Sequence, residues 1–248
     1  MADFNTLRRP ATTSGRAAAY DEGLRAYMNK VYGMMAGGMA VSAVIAWGFA
    51  EMAGGPGQWT DFGRMIYMSP VRWVIMFLPL LMVMGFGAAL NRLSVQGATA
   101  VFYAFAAAMG ASLSSIFLRY TDASIFTTFL ATAGGFAGLS LYGYTTRRDL
   151  SGVGRFLVMG LIGLMIAMLV NLFVQSNAVA FAVSVIGVLI FAGLTAYDTQ
   201  RIKNTYLELA GSGDDFLGKS AIMGALTLYL DFLNLFTFLL SFMGQREN

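Results

Sequence analysis

Cysteine and histidine are both absent from this chain of 248 residues. Without them there are no disulfides, no thiolate nucleophile, no usual zinc ligand set and no histidine general base. Intramembrane serine proteases built on a Ser–His pair, and intramembrane zinc proteases, are thereby excluded. No enzyme chemistry and no cofactor is expected. Charge is scarce too. Only 12% of residues are charged and 57% are hydrophobic, whereas a soluble domain covers itself with roughly 25% charged residues.

What is present is a set of apolar runs of about 20 residues, the length that crosses a ~30 Å hydrocarbon core, separated by short charged islands. The runs are apolar all round, which excludes an outer-membrane barrel, whose strands alternate polar and apolar over ~10 residues. The expected fold is all-α: a polytopic membrane protein of seven transmembrane helices. Residues 1–30 read as a cytoplasmic N-terminal tail with a short interfacial helix from Ala17 to Tyr32. They do not read as a signal peptide, because the polar stretch is long and a full span follows. Residues 31–243 form the transmembrane domain, and 244–248 a C-terminal tail.

The spans fall at about Val31–Ala50, Trp73–Leu90, Gly97–Leu118, Ala123–Tyr144, Phe156–Val174, Ala178–Tyr197 and Ala221–Met243. Gly54, Gly55, Pro56 and Gly57 mark a turn in the first loop. Gln175, Ser176 and Asn177 make a very short turn, so spans five and six are antiparallel neighbours. About 20 residues separate spans six and seven. With seven spans, twelve Lys and Arg fall on the N-terminal side and four on the other. The positive-inside rule then puts the N-terminus in the cytoplasm and the C-terminus outside. The same rule accounts for the net charge of +3 and the pI near 9.2 without an acidic partner such as nucleic acid. Glycines recur inside the spans at 37 and 38, 85 and 87, 134 and 138, 160 and 163, 187 and 193. They suit close backbone approach, and the Gly134-to-Gly138 spacing is read as intrachain packing.

Nearly all thirteen acidic residues fall in loops or tails. Asp231 does not, lying in Leu226–Thr227–Leu228–Tyr229–Leu230–Asp231–Phe232–Leu233–Asn234–Leu235–Phe236. An Asp at the centre of a membrane helix costs roughly 2.5–3.5 kcal/mol on insertion scales and usually faces the bundle interior beside a partner. Thr227, Asp231, Asn234 and Ser241 share a helical face. Asp198 ends the sixth span in Ala196–Tyr197–Asp198–Thr199–Gln200–Arg201, and Ser184, Gly187, Phe191 and Thr195 share its face. Taken alone, Asp198 is an interfacial residue paired with Arg201. Were the two carboxylates ~4 Å apart, their repulsion at an effective dielectric near 20 would be about 4 kcal/mol. Both are then ionised only if a cation lies between them, and one shared proton, titrating as a property of the pair, is expected. These span limits put Asp231 about 15 Å deeper than Asp198, a gap that tilt or a longer sixth helix would close. Arg92, ending the second span, is a candidate ion-pair partner of Asp198 or simply a topology-setting charge.

The Ala196–Tyr197–Asp198–Thr199–Gln200 and Leu228–Tyr229–Leu230–Asp231–Phe232–Leu233–Asn234–Leu235–Phe236 strings together resemble the Bax inhibitor-1, or transmembrane Bax inhibitor motif, family. The resemblance runs over essentially the whole chain after residue 20. It implies a central seventh helix surrounded by six others and a pH-sensitive calcium leak with Asp198 and Asp231 as a di-aspartyl pair. Matching the Tyr103–Ala104–Phe105–Ala106 region places Arg92 on a family arginine that pairs with the first aspartate. The loop with Gly211, Ser212, Gly213, Asp214 and Asp215 departs from the family by being longer than in the most compact bacterial relatives.

The expected function is therefore a passive cation path gated by Asp198 and Asp231. Thr195, Thr227 and Asn234 support the pair, and calcium is permeant or weakly bound by the two carboxylates. The alternative is a membrane interaction protein that regulates a quality-control protease or a stress or cell-death pathway through its N-terminal tail. A proton-coupled transporter using the same acids ranks last, for want of a substrate pocket. The partners are the lipid bilayer, calcium ions and, in the alternative, another membrane protein. The expected location is a bacterial inner membrane.

Overall fold

The computed structural model describes residues 13–55 and 58–245. The tail residues 1–12, the turn residues Pro56 and Gly57, and residues 246–248 lie outside the described residues. Seven long helices follow one another: α1 Thr13–Ala53, α2 Val71–Arg92, α3 Val95–Leu113, α4 Asp122–Thr145, α5 Ser151–Val174, α6 Asn177–Leu209 and α7 Asp214–Met243. All seven are long and apolar enough to cross a membrane, and the protein is a polytopic helical bundle. Between α1 and α2 lie a helical turn, Asp61–Gly63, and a π-helical turn, Arg64–Met68.

The starts and stops have local causes. Ser94, Thr121 and Ser176 accept hydrogen bonds from the N–H groups of Gly97, Ser124 and Val179, capping α3, α4 and α6. Gln175 ends α5 in the left-handed region at φ 50°, which allows a two-residue reversal into α6.

Several expected boundaries are corrected. The helix expected from Ala17 runs into the first span without a break at residue 30. The sixth helix continues to Leu209 instead of ending at Tyr197, and the seventh begins at Asp214 instead of Ala221. The expected 20-residue loop is thus only 210–213. Hydropathy reports immersion in hydrocarbon, while Arg201–Leu209 is helical outside it. Asp214 and Asp215 form the first turn of α7, where carboxylates meet the positive helix pole. Lys219 pairs with Asp215 at 2.9 Å.

The last helix is the centre of the bundle. Of its most apolar stretch 61% is buried within the chain, against 6% for α5. It packs against α1, α3, α4 and α6, while α2 leans on α3 and α5 on α6. Tyr229 is fully buried beside Phe102 and Phe105, and its hydroxyl meets that of Ser42 at 2.6 Å. Ser42 also donates to the Ala106 carbonyl at 2.7 Å, so α1, α3 and α7 are joined by a satisfied polar contact at their core. Phe232 packs on Phe129 and Phe136 of α4.

The glycines divide into two sets. Gly37, Gly38, Gly160, Gly187 and Gly193 each lie against a neighbouring side chain, whereas Gly85, Gly87, Gly134, Gly138 and Gly163 have nothing within 4 Å of where a Cβ would stand. The intrachain seam expected at Gly134 and Gly138 is therefore corrected: both face outward, on the side of α4 that exposes Phe126 and Leu130.

Connections alternate between two ends of the bundle. One end carries 93–94, 146–150 and 210–213. The other carries 54–70, 114–121 with its 3-10 turn Ser114–Ile116, 175–176 and residues 244–245 after α7.

Candidate functional site

Asp198 and Asp231 come from the antiparallel helices α6 and α7, the two that pack most closely together. Gly224 lies against Ile202 on one side of them, and Gly187 lies against the Phe238 ring on the other. This register carries the two carboxyl groups into hydrogen-bonding reach of each other. Because α6 continues eleven residues past Asp198, Asp198 lies within the helix, not at its end, and the expected difference in depth closes.

Both acids are buried, Asp198 at 7% and Asp231 at 5% exposure. Oδ2 of Asp231 has no hydrogen-bond partner among the described residues. Two buried carboxylates in contact repel, so the arrangement needs either one proton between them or a cation on their oxygens.

The cation beside the pair is Arg201, not Arg92. Its Nη1 lies 3.7 Å from Oδ1 of Asp198, one turn along the same helix, with the guanidinium side chain largely exposed. Arg92 is exposed at the end of α2, and neither ion pair among the described residues involves it. An i,i+3 partner requires no tertiary approach, whereas Arg92 would have to reach in from a peripheral helix. The expected supporting residues spend their donors locally. Thr195, Thr227 and Asn234 donate to the carbonyls of Phe191, Met223 and Leu230, four residues back in their own helices. Among the described residues no group of three or more acidic side chains could hold a metal ion, so a cation here would have the two carboxylates and few other ligands.

Two cavities lie along α6 and α7 on either side of the pair, and neither is lined by Asp198 or Asp231 themselves. At the 210–213 end a cavity of about 260 Å³ is lined by Ser151, Tyr197, Gln200, Arg201, Asn204 and Glu208, and Arg201 stands between it and Asp198. At the 175–176 end a cavity of about 450 Å³ is lined by Asn171, Asn177, Ser184, Phe238 and Ser241, among others. It stops at Phe238, which stacks on Phe191 with ring centroids 5.8 Å apart.

Sequence reasoning missed two residues of the first motif. Gln200 accepts from the Leu150 N–H at 2.9 Å and donates to the Arg148 carbonyl at 2.8 Å, tying the 146–150 connection to α6. Tyr197 packs where Gly154 leaves room for its ring. These partners lie more than forty residues away in the chain, so no local spacing signals them. Gln200→Leu would strand a buried N–H and a carbonyl at roughly 1–3 kcal/mol for a lost partner. The detergent-solubilised variant should unfold about 5 °C or more below wild type; an unchanged midpoint would show that the clamp contributes nothing.

The chain matches the family described as "Inhibitor of apoptosis-promoting Bax1" over residues 24–248. It is 44% identical to "Inner membrane protein YbhL" of Escherichia coli K12 over 91% of this chain and 94% of that one. A chain of Caulobacter vibrioides, named only as uncharacterized, is 42% identical over the full length of both. An uncharacterized membrane protein of Streptococcus pyogenes is 34% identical over 92% of this chain and 96% of its own. With a buried acid pair between its last two helices and a family match over nearly its whole length, the chain belongs to the Bax inhibitor-1 family.

Proposed function

We propose that this protein is a pH-sensitive calcium leak of the bacterial inner membrane, with its N-terminus in the cytoplasm and no enzymatic chemistry. The Escherichia coli relative's being an inner membrane protein supports the location, and the concentration of Lys and Arg at the N-terminal end supports the orientation.

The observation that carries the reading is the contact between two buried carboxyl groups on the two central helices. A shared proton makes that contact attractive. Removing the proton leaves like charges that either separate or take a hard cation on their oxygens. Two carboxylates without a surrounding cage bind such an ion weakly, which suits conduction, since an ion that enters must also leave. On this reading an ion would reach the pair from the cavities on either side, past Arg201 from one and past the Phe191–Phe238 stack from the other.

Calcium flux into liposomes holding the purified protein, measured across pH for wild type, Asp198→Asn and Asp231→Asn, tests this. Wild type should leak above empty vesicles and change with pH. An amide at position 231 cannot take part in a shared-proton pair, so the Asn variant should give a flat profile. Wild-type vesicles no leakier than empty ones would defeat the proposal, and so would a pH profile that Asp231→Asn leaves intact.

A further inference from the structure

At the end of the bundle opposite the 210–213 turn, a cleft of about 530 Å³ opens between the 54–70 connection, the start of α2 and the end of α3. Arg72 and Arg119 both line it, together with Trp59, Trp73, Ser112 and Ser115. No carboxylate lines it. Neither ion pair among the described residues involves either arginine.

Three features set these arginines apart from ordinary surface charge. First, basic residues are rare at this end: among the described residues it carries only Arg64, Arg72 and Arg119, and two of the three share one cleft. Second, Arg72 is the second residue of α2, whose first turn contains no acidic residue. A cation there faces the positive pole of the helix, an arrangement that an anion nearby would reverse. Third, the Arg72 guanidinium lies 4.8 Å from the Trp73 ring centroid. Stacking of that kind holds the plane while leaving N–H edges free. Ser112 near the end of α3, Ser115 in the 3-10 turn that follows and Arg119 just beyond it line the other wall, which adds a second guanidinium and two hydroxyl-bearing residues to the cleft. Trp59 and Trp73 are residues that favour the headgroup level of a bilayer, and Trp73 and Met76 are about half exposed, leaving the cleft open sideways to lipid.

We infer that this cleft binds a phosphate group between Arg72 and Arg119, held by two guanidinium forks and the Ser112 and Ser115 hydroxyls. The phosphate is that of an anionic phospholipid headgroup or a free phosphate. Forked N–H pairs match its oxygens, and the aromatic wall suits the first carrier of ligand along the membrane surface.

The full-length protein in neutral detergent would be titrated with short-chain phosphatidylglycerol, short-chain phosphatidylcholine and inorganic phosphate, following the thermal midpoint and lipid adducts by native mass spectrometry. Phosphatidylglycerol should bind at least about tenfold more tightly than phosphatidylcholine. Arg72→Gln/Arg119→Gln should lose that preference, while Arg147→Gln/Arg148→Gln, an equal charge change at the other end, should keep it. Should the double variant fail to fold, Arg119→Gln alone serves, since Arg119 is exposed and lies outside α3. Competition by inorganic phosphate at millimolar concentration would assign the site to free phosphate, and its absence to the lipid headgroup. A preference for phosphatidylglycerol that survives in the arginine variants, or no preference in wild type, would overturn the inference.

Discussion

On the proposed reading of a calcium leak, replacing Phe238 by alanine should raise the flux through reconstituted protein at least about tenfold at the pH where wild type passes least. The rings of Phe191 and Phe238 stack seven residues from Asp198 and Asp231, or about 10 Å along each helix. They therefore lie, within a packed apolar cluster that includes Leu194 and Leu235, between the acid pair and the cavity lined by Asn171, Asn177, Ser184 and Ser241. Gly187 lets the Phe238 ring sit directly against the α6 backbone; a Cβ there would fall 2.6 Å from the ring. An apolar constriction of this kind stops ions by excluding water. A tenfold change in rate corresponds to about 1.4 kcal/mol, well within what removing a buried phenyl group would take from a closed state. Phe173→Ala, at the same end but 87% exposed, should leave the leak unchanged. A folded Phe238→Ala protein that leaks no faster than wild type would remove the aromatic stack from the path while leaving the acid pair to be judged on its own pH profile.

The second large effect concerns stability. Gly143 of α4 faces the backbone of Ala196, just before Tyr197 and Asp198. A Cβ on residue 143 would fall against the Ala196 carbonyl oxygen, with the carbonyl carbon at 2.9 Å and Cα at 3.0 Å. Backbone cannot move aside by changing rotamer, so any side chain must push α4 and α6 apart. That separation would strain the Lys203 bond to the Tyr144 carbonyl, 2.6 Å long, and the Thr199–Ser140 contact at 3.4 Å. Gly143→Ala should cost about 2–3 kcal/mol, the upper part of the range for overpacking, and Gly143→Leu should not accumulate as folded protein. Gly138→Ala, five residues earlier with nothing near its Cβ, should be neutral or stabilise α4 by about 0.5–1 kcal/mol. Thermal unfolding of the detergent-solubilised variants measures both. Equal midpoints for the two alanine variants would mean that α4 and α6 are not pressed together at Gly143.

The two acids stood out in the sequence because the transfer cost of a carboxylate is large against an apolar background. Arg201 stood out less. Its charge lies only three residues from Asp198, which made it the local partner, while the family resemblance offered Arg92, an arginine ending another span, for the same role. Local geometry settles that choice, since an i,i+3 contact forms with the helix itself once the helix is known to continue. The continuation was hidden, because Arg201–Leu209 has the polarity of a loop while its backbone remains helical. Glycine was the least readable residue. Gly187 and Gly138 sit in similar apolar surroundings in the chain, yet one receives an aromatic ring and the other has open space. Helical periodicity places a residue on a face but does not say what that face meets.

By itself the sequence determined that the chain is a seven-helix membrane protein and that Asp231 must have a partner. Both rest on transfer free energies, which belong to each residue and add along a run. Only the tertiary structure decided that Asp198 lies against Asp231, that Arg92 stays away from the pair, and that Phe191 and Phe238 stack beyond it toward the opposite end. Those outcomes depend on register and tilt between helices, which are set by where glycines let two backbones or a backbone and a ring come into contact. Contacts of that kind join residues far apart in the chain, and no local pattern records them.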